Sequence, residues 1–302
     1  MSDLCNVTGN TTYQQQLNAL YSSLVAEFVD AFYDTSNGMY LTGLQTSYAM
    51  ALEAGIYSSS SMQTQLQNGL IDTITQKNDN LITTGIIGAK FMLPILSELK
   101  NQTLALHLIR GGQGEATQSN ATYPSWAYEG NNTYEPATAV WELWDAPNEG
   151  PGMNSRNHHM FSSVSAYLTT YVSGLKQVQY NEWKVMIGHF ASDELESSNI
   201  TVDDGQTHYH WIWLNDYKLS IDLMIAVGHN AVIEFGQIFT ESDECKWALR
   251  ESGDVSMDWI IEEIQESDSF LQRYGAKTEV VQGVKKAVAI GSGRYRWEIF
   301  CI

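Results

Sequence analysis

Positive charge is what this chain most lacks. Sixteen Lys and Arg stand against 35 Asp and Glu among 302 residues, a formal net charge of −19 at pH 7. A nucleic-acid binder needs a Lys/Arg face to displace counterions from phosphate, so nucleic acid is excluded as a partner. An anionic membrane surface is disfavoured for the same reason, whereas a neutral substrate fits. Cysteine is scarce as well. Cys5, Cys245 and Cys301 are widely spaced and odd in number, which makes neither a metal-ligand pattern nor a disulfide framework. A Cys245–Cys301 bridge is open to the chain in an oxidising compartment. Long apolar runs are missing: the most hydrophobic stretch, Gly85 to Leu96, is too short to span a bilayer and carries Lys90 and Pro94. The opening MSDLCNVTGNTT has neither the basic nor the apolar region of a signal peptide. There is no phosphate-cradling glycine loop, no G-x-S-x-G elbow and no H-E-x-x-H pair. No cofactor and no metal are expected.

What is present describes a globular chain. Hydrophobic residues make up 43% and charged residues only 17%, which excludes a disordered polymer. Nine Trp and sixteen Tyr are a high aromatic load, suited to filling cores and to stacking on the C–H faces of sugars. Sequons at Asn6, Asn10, Asn101, Asn120, Asn131 and Asn199 point towards secretion, with any signal peptide lying upstream.

The first 177 residues read as helices. From Gln14 to Asp34, Leu17, Leu20, Leu24, Phe28 and Phe32 recur every three or four positions and form one face, closed by Asn37-Gly38. Gln45–Ala54 is a second helix. The Ser run at 58–61 offers N-caps for a third, Met62–Lys77, with Leu66, Leu70 and Ile74 aligned. Gly85–Leu99 and Thr103–Arg110 follow, then a loop-rich insert from Gly111 to Pro136. His158–Gly174 is the next helix, with Phe161, Val164, Leu168, Tyr171 and Val172 as its buried stripe and Gly174 as its stop. After Val178 the pattern changes to short β-branched and aromatic runs. HYHWIWL and KLSIDLMIAV flank Asn215-Asp216 as a hairpin, and Val284–Ile302 supplies further strands around Gly291-Ser292-Gly293. The acidic stretch Thr240–Gly275 shows mixed helical spacing and reads as an insertion. The expected architecture is multi-domain, α then β, with the domains at 1–177 and 178–302 and the insertion near 240–280.

The chemistry concentrates in Thr138–Phe161, TAVWELWDAPNEGPGMNSRNHHMF. Glu142 lies between Trp141 and Trp144, and desolvation beside indole rings makes a carboxylate a stronger base. On spacing alone, a surface Glu beside two core tryptophans is the commoner outcome. His158 and His159 point about 100° apart on a helix and lack an i,i+4 partner, which argues against a metal. His208 and His210 share one face of a strand, where a solvated surface explains them. Asp72, Asp79, Glu115, Glu129, Glu135, Asp145 and Glu149 are possible second carboxylates that nothing in their setting singles out.

The run ATAVWELWD, then PGMNSRNHHMF, then SVSAYLTTYVSGL, resembles glycoside hydrolase family 78, the α-L-rhamnosidases. YLTGLQTSYAMALEAG, LITTGIIGAKFMLPIL and YPSWAYE are similar to successive barrel segments of that family, and DDGQTHYHWIWLNDYKLSIDLMIAVGHNAVIEF with IGSGRYRWEI to its C-terminal sandwich. The resemblance implies a partial (α/α)6 barrel followed by an antiparallel β-sandwich. It implies inverting hydrolysis of terminal α-L-rhamnose, in which one carboxylic acid protonates the leaving oxygen and a second carboxylate, roughly 6.5–9.5 Å away, activates water. By position, Glu142 is the general base and His158 lines the sugar pocket, with Trp126, Thr138 and Trp141 near the rhamnose ring. The family's general acid lies in an acid-rich loop leading to a Trp-Thr-Gly-Asp-like run, which does not occur here. The expected partners are therefore a rhamnose-containing glycan or glycoside and the missing N-terminal part of the barrel. The alternative is a non-catalytic rhamnose-binding or scaffold protein of the same fold.

Overall fold

A computed structural model describes residues 5, 8–110, 140, 142, 144, 155, 157–188, 195–202, 205–236, 247–252, 259–260, 277–279 and 287–301. The chain divides into two compact units, Met1–Val164 and Ser165–Ile302. Helical turns continue to Val172, and the first strand of the sandwich begins at Leu175.

In the first unit, α1 (Thr11–Phe32) starts at Asn10, whose side chain accepts from the Tyr13 amide and satisfies one of the helix's orphan donors. A short hairpin follows, β1 (Tyr33–Asp34) against β2 (Met39–Tyr40), closed at Gly38 with φ +70°. The Tyr40 hydroxyl donates to Ile56 O, and burial together with the neighbouring Tyr33 pushes its pKa up to about 12. Next come α2 (Gln45–Glu53) and α3 (Ser60–Asp72), the latter capped by Ser59, whose hydroxyl accepts from the Met62 amide. The helix widens into a π-turn over Thr73–Lys77, and Leu66, Leu70 and Ile74 are all fully buried, as their spacing predicts. α4 (Ile86–Glu98) and α5 (Gln102–Arg110) complete the run. α2 and α4 approach closely because Gly88 has no Cβ; one there would meet Thr46.

The expected helix at His158–Gly174 is three segments. A 3-10 turn (His159–Ser162) leads into α6 (Ser163–Tyr167) and then a π-turn (Leu168–Val172). The changing pitch moves the apolar residues off one stripe: Phe161, Tyr167 and Val172 are buried, while Leu168 is exposed. Gly174, at φ +81°, ends the run as expected.

The second unit is a two-sheet sandwich. Its strands are β3 (Leu175–Gln179), β4 (Glu182–Ile187), β5 (Ser197–Val202), β6 (Thr207–Asn215), β7 (Lys218–Ile225), β8 (Asn230–Phe235), β9 (Trp247–Glu251), β10 (Trp259–Ile260), β11 (Lys277–Glu279), β12 (Ala287–Ile290) and β13 (Gly293–Cys301). The six-stranded sheet has the order β10-β9-β13-β7-β6-β5 and the five-stranded sheet the order β11-β12-β8-β4-β3. β6 and β7 form the expected hairpin, and alternate residues Leu219, Ile221, Leu223 and Ile225 enter the core with Trp211, Trp183, Ile233 and Trp297. Pairing is antiparallel throughout the described ladders except β4 with β8, which is parallel. The described parts of 240–275 are strands: β9 lies between β10 and β13, inside the sheet. Cys301 is disulfide-bonded and Cys5 is free; Cys245 lies outside the described residues. Among the described residues, no helix is long and apolar enough to cross a membrane.

Candidate functional site

Glu142 is placed by backbone hydrogen bonds before any side chain acts. Its amide donates to Ser155 O at 3.0 Å, and the His158 amide donates to Val140 O. The two bonds form a short ladder between Val140 and Glu142 on one side and Ser155 and His158 on the other. The ladder brings Glu142 and His158 to one place although sixteen positions separate them. Glu142 is half-buried.

Trp144 anchors the other end of this segment. Its indole N–H donates to Thr84 O at 2.6 Å, and its ring lies 4.5 Å from that of Phe161 at a tilt of 55°. Phe161 is fully buried, so the pair ties the Glu142 segment to the 3-10 turn that begins at His159. Thr84 immediately precedes Gly85, the N-cap of α4.

His158 precedes the 3-10 turn with non-helical backbone (φ −110°, ψ 78°), so the pair does not share the expected helix; His158 is half-buried and His159 is exposed. The His158 ring stands 6.0 Å from Phe161, and its Nε2 is shielded from water with no hydrogen-bond partner among the described residues. A shielded imidazole nitrogen without a partner is costly in a resting protein and suits one that meets a ligand hydroxyl. The Thr84 hydroxyl is in the same condition.

Trp126, Thr138 and Trp141 lie outside the described residues, as do Glu115, Glu129, Glu135, Asp145 and Glu149. Asp72 lines an open polar cavity of about 450 Å³ with Asn37, Gln65, Asn68 and Lys77, between the β1–β2 hairpin and α3. Asp79 stands in a turn at φ +49°. His208 and His210 face away from the sandwich core, opposite Met224 and Asp222. Among the described residues no group of three or more His, Cys, Asp or Glu could hold a metal ion.

Two contributors escape a reading by motif. Gln45 and Thr84 are almost fully buried, at 0% and 1% exposure; Thr84 O holds the Trp144 indole, and Gln45 bonds the backbone of Leu81 and Thr83 beside it. Gln at a helix start reads as solvated, and only the partners across the fold reveal its use.

Residues 1–172 match the family model of the bacterial alpha-L-rhamnosidase six-hairpin glycosidase domain. An alpha-L-rhamnosidase of Formosa agariphila is 27% identical over 243 residues, covering 78% of this chain and 25% of the relative. One from an Alteromonas species is 26% identical over 230 residues, covering 74% and 23%. Among solved structures, the alpha-L-rhamnosidase of Dictyoglumus thermophilum aligns at TM-score 0.72 and 18% identity, over 99% of this chain and 30% of that one. The alpha-L-rhamnosidase of Streptomyces avermitilis complexed with L-rhamnose aligns at 0.64 and 18%, over 98% and 26%. The chain thus spans about a quarter of the length of the curated relatives it matches.

Proposed function

The chain belongs to the bacterial alpha-L-rhamnosidase six-hairpin glycosidase family, and from that premise we propose that it is the C-terminal part of an inverting α-L-rhamnosidase in which Glu142 is the general base. The observation that carries this reading is the double tether of the Glu142 segment: the backbone ladder to Ser155 and His158 on one side, the Trp144 indole on Thr84 on the other. A base that activates water needs its carboxylate held in place before substrate arrives, because catalysis falls steeply with misplacement.

In the proposed reaction, Glu142 takes a proton from water and the water oxygen bonds to the anomeric carbon of rhamnose. The bond from that carbon to the leaving oxygen breaks, and a carboxylic acid on the opposite face protonates the departing group. His158 presents its Nε2 to a sugar hydroxyl, with Trp126, Trp141 and Thr138 beside the ring. The acid is contributed by the part of the barrel outside this chain.

Two observations support a partial barrel. The chain covers only 25% and 23% of the curated alpha-L-rhamnosidases it matches. The apolar stripe of α1 is also uncovered: Leu20 and Leu24 are more than half exposed, and Phe28 and Phe32 are exposed as well. Burying a Leu or Phe contributes about 1.5–3 kcal/mol, so such a stripe forfeits several kcal/mol until another surface covers it.

The test is turnover of an aryl α-L-rhamnoside by the complete polypeptide. Glu142→Gln keeps the side chain's size and removes its basicity, so turnover falls by 10³-fold or more, in order of magnitude, with the melting temperature unchanged. Near-normal turnover in that variant overturns the assignment.

A further inference from the structure

Gln45 is the first residue of α2 and has no exposed surface, with Tyr48, Ala49 and Ala51 buried on the same helix. A carboxamide in such a place costs free energy unless both of its ends are bonded. Both are. Nε2 donates to Leu81 O at 2.8 Å, and Oε1 accepts from the Thr83 amide at 2.9 Å. The two partners are two residues apart, so one side chain occupies the place that a neighbouring strand would take beside an extended segment. Burial along that segment alternates: Ile82 and Thr84 are buried, Leu81 is half-buried and Thr83 is exposed.

The clamp has a consequence beyond this segment. The next carbonyl along, Thr84 O, accepts the Trp144 indole, and Trp144 is two residues from Glu142. Contacts therefore run without a gap from Gln45 through the backbone of Leu81–Thr84 to Trp144. The other tether of Glu142, the ladder to Ser155 and His158, does not pass through Gln45. We propose that Gln45 is a positioning residue for Glu142, acting through the extended Leu81–Thr84 segment and the Trp144 indole. It touches no substrate. Its role is to hold the hydrogen-bond acceptor that sets one end of the base-bearing segment. This inference rests on the reading of Glu142 as the general base.

A displacement near 1 Å at a catalytic group costs on the order of 10²-fold in rate, so releasing one of two tethers is expected to cost about 10-fold in kcat. KM stays within about twofold, since the sugar's own contacts remain. The experiment compares Gln45→Met, Trp144→Phe and the double variant in the complete protein, with an aryl α-L-rhamnoside. Met fills the carboxamide's volume without its hydrogen bonds, and Phe keeps the packing on Phe161 without the indole N–H. Each single variant loses kcat at constant KM, and the double variant is no worse than either, because both break one chain of contacts. Hydrogen exchange of the Trp144 indole N–H accelerates about 10-fold or more in Gln45→Met. The backbone amides of Leu66 and Leu70, fully buried on α3 in the same unit, are the control and stay protected.

Additive losses in the double variant, an unchanged kcat in Gln45→Met, or an unchanged exchange rate at Trp144 overturns the proposal. If Gln45→Met does not fold, as loss of protection at Leu66 and Leu70 would report, Trp144→Phe decides alone: undiminished kcat there overturns it. A complete wild-type protein that fails to turn over the rhamnoside overturns the catalytic reading itself, an outcome distinct from an active wild type with an indifferent Gln45.

Discussion

Gly174 sits at φ +81°, and a Cβ at that position would overlap the carbonyl oxygen of Met186. Its own carbonyl accepts from the Met186 amide at 2.7 Å, so the backbone cannot retreat without giving up a hydrogen bond. Gly174→Ala is expected to lower the stability of the sandwich by about 2 kcal/mol or more, the sum of left-handed strain and the clash. A shift in denaturant midpoint at constant slope checks it. Among single residues, the sequence is informative where a side chain acts on its own neighbourhood. Gly174 reads as a helix stop, the Ser run at 58–61 as a cap, and Leu66, Leu70 and Ile74 as a buried row. It is silent on Gln45, because a polar side chain at a helix start gives no local sign that its partners lie at Leu81 and Thr83.

Among the elements, the outer face of the six-stranded sheet carries its own electrostatics. Asp222 on β7 accepts from Arg294 at both oxygens, 2.9 and 2.6 Å, and lies 3.4 Å from the Arg296 Nε. The Arg294 hydrogen bond, with both guanidinium charges, holds the Asp222 carboxyl below its usual range despite partial burial. A carboxyl that is more acidic in the fold than in the unfolded chain stabilises the fold fully above its unfolded pKa. That contribution fades as pH falls through the lower, folded value. The stability difference between wild type and Asp222→Asn is therefore present at pH 7, shrinks below about pH 4, and vanishes in stronger acid. Denaturation midpoints at pH 7 and near pH 2.5 measure it, and an equal difference at both would show that the carboxylate charge contributes nothing. The β6–β7 hairpin is legible in the sequence because alternation and a two-residue turn are local. The segmented helix at His159–Val172 is not, since a change of pitch is chosen by packing around Phe161 and Tyr167 rather than by propensity.

For the whole molecule, the proposed partial barrel is tested at α1. Its apolar spacing is that of a buried helix, yet none of its residues is buried. Exposed Leu20 and Leu24 make few contacts to lose, so Leu20→Glu and Leu24→Glu each change the stability of this chain by less than about 0.5 kcal/mol. They reduce its self-association in sedimentation experiments, because an uncovered apolar stripe favours aggregation. In a complete barrel the same substitutions bury a charge and prevent activity from being restored. Unchanged self-association together with full activity would show that the stripe faces water by design.

The sequence by itself determined the run of helices from Gln45 to Arg110, the β6–β7 hairpin, the division of labour between an α and a β part, and the segment that holds Glu142 and His158. These follow from periodicity, turn residues and an ordered set of motifs, all of which are properties of neighbours along the chain. Tertiary structure alone decided that Val140 and Glu142 pair with His158 and Ser155, that Trp144 hangs from Thr84, and that Gln45 holds the backbone beneath it. Those are bonds between groups far apart in sequence, and a hydrogen-bond donor does not advertise its acceptor until the chain has folded.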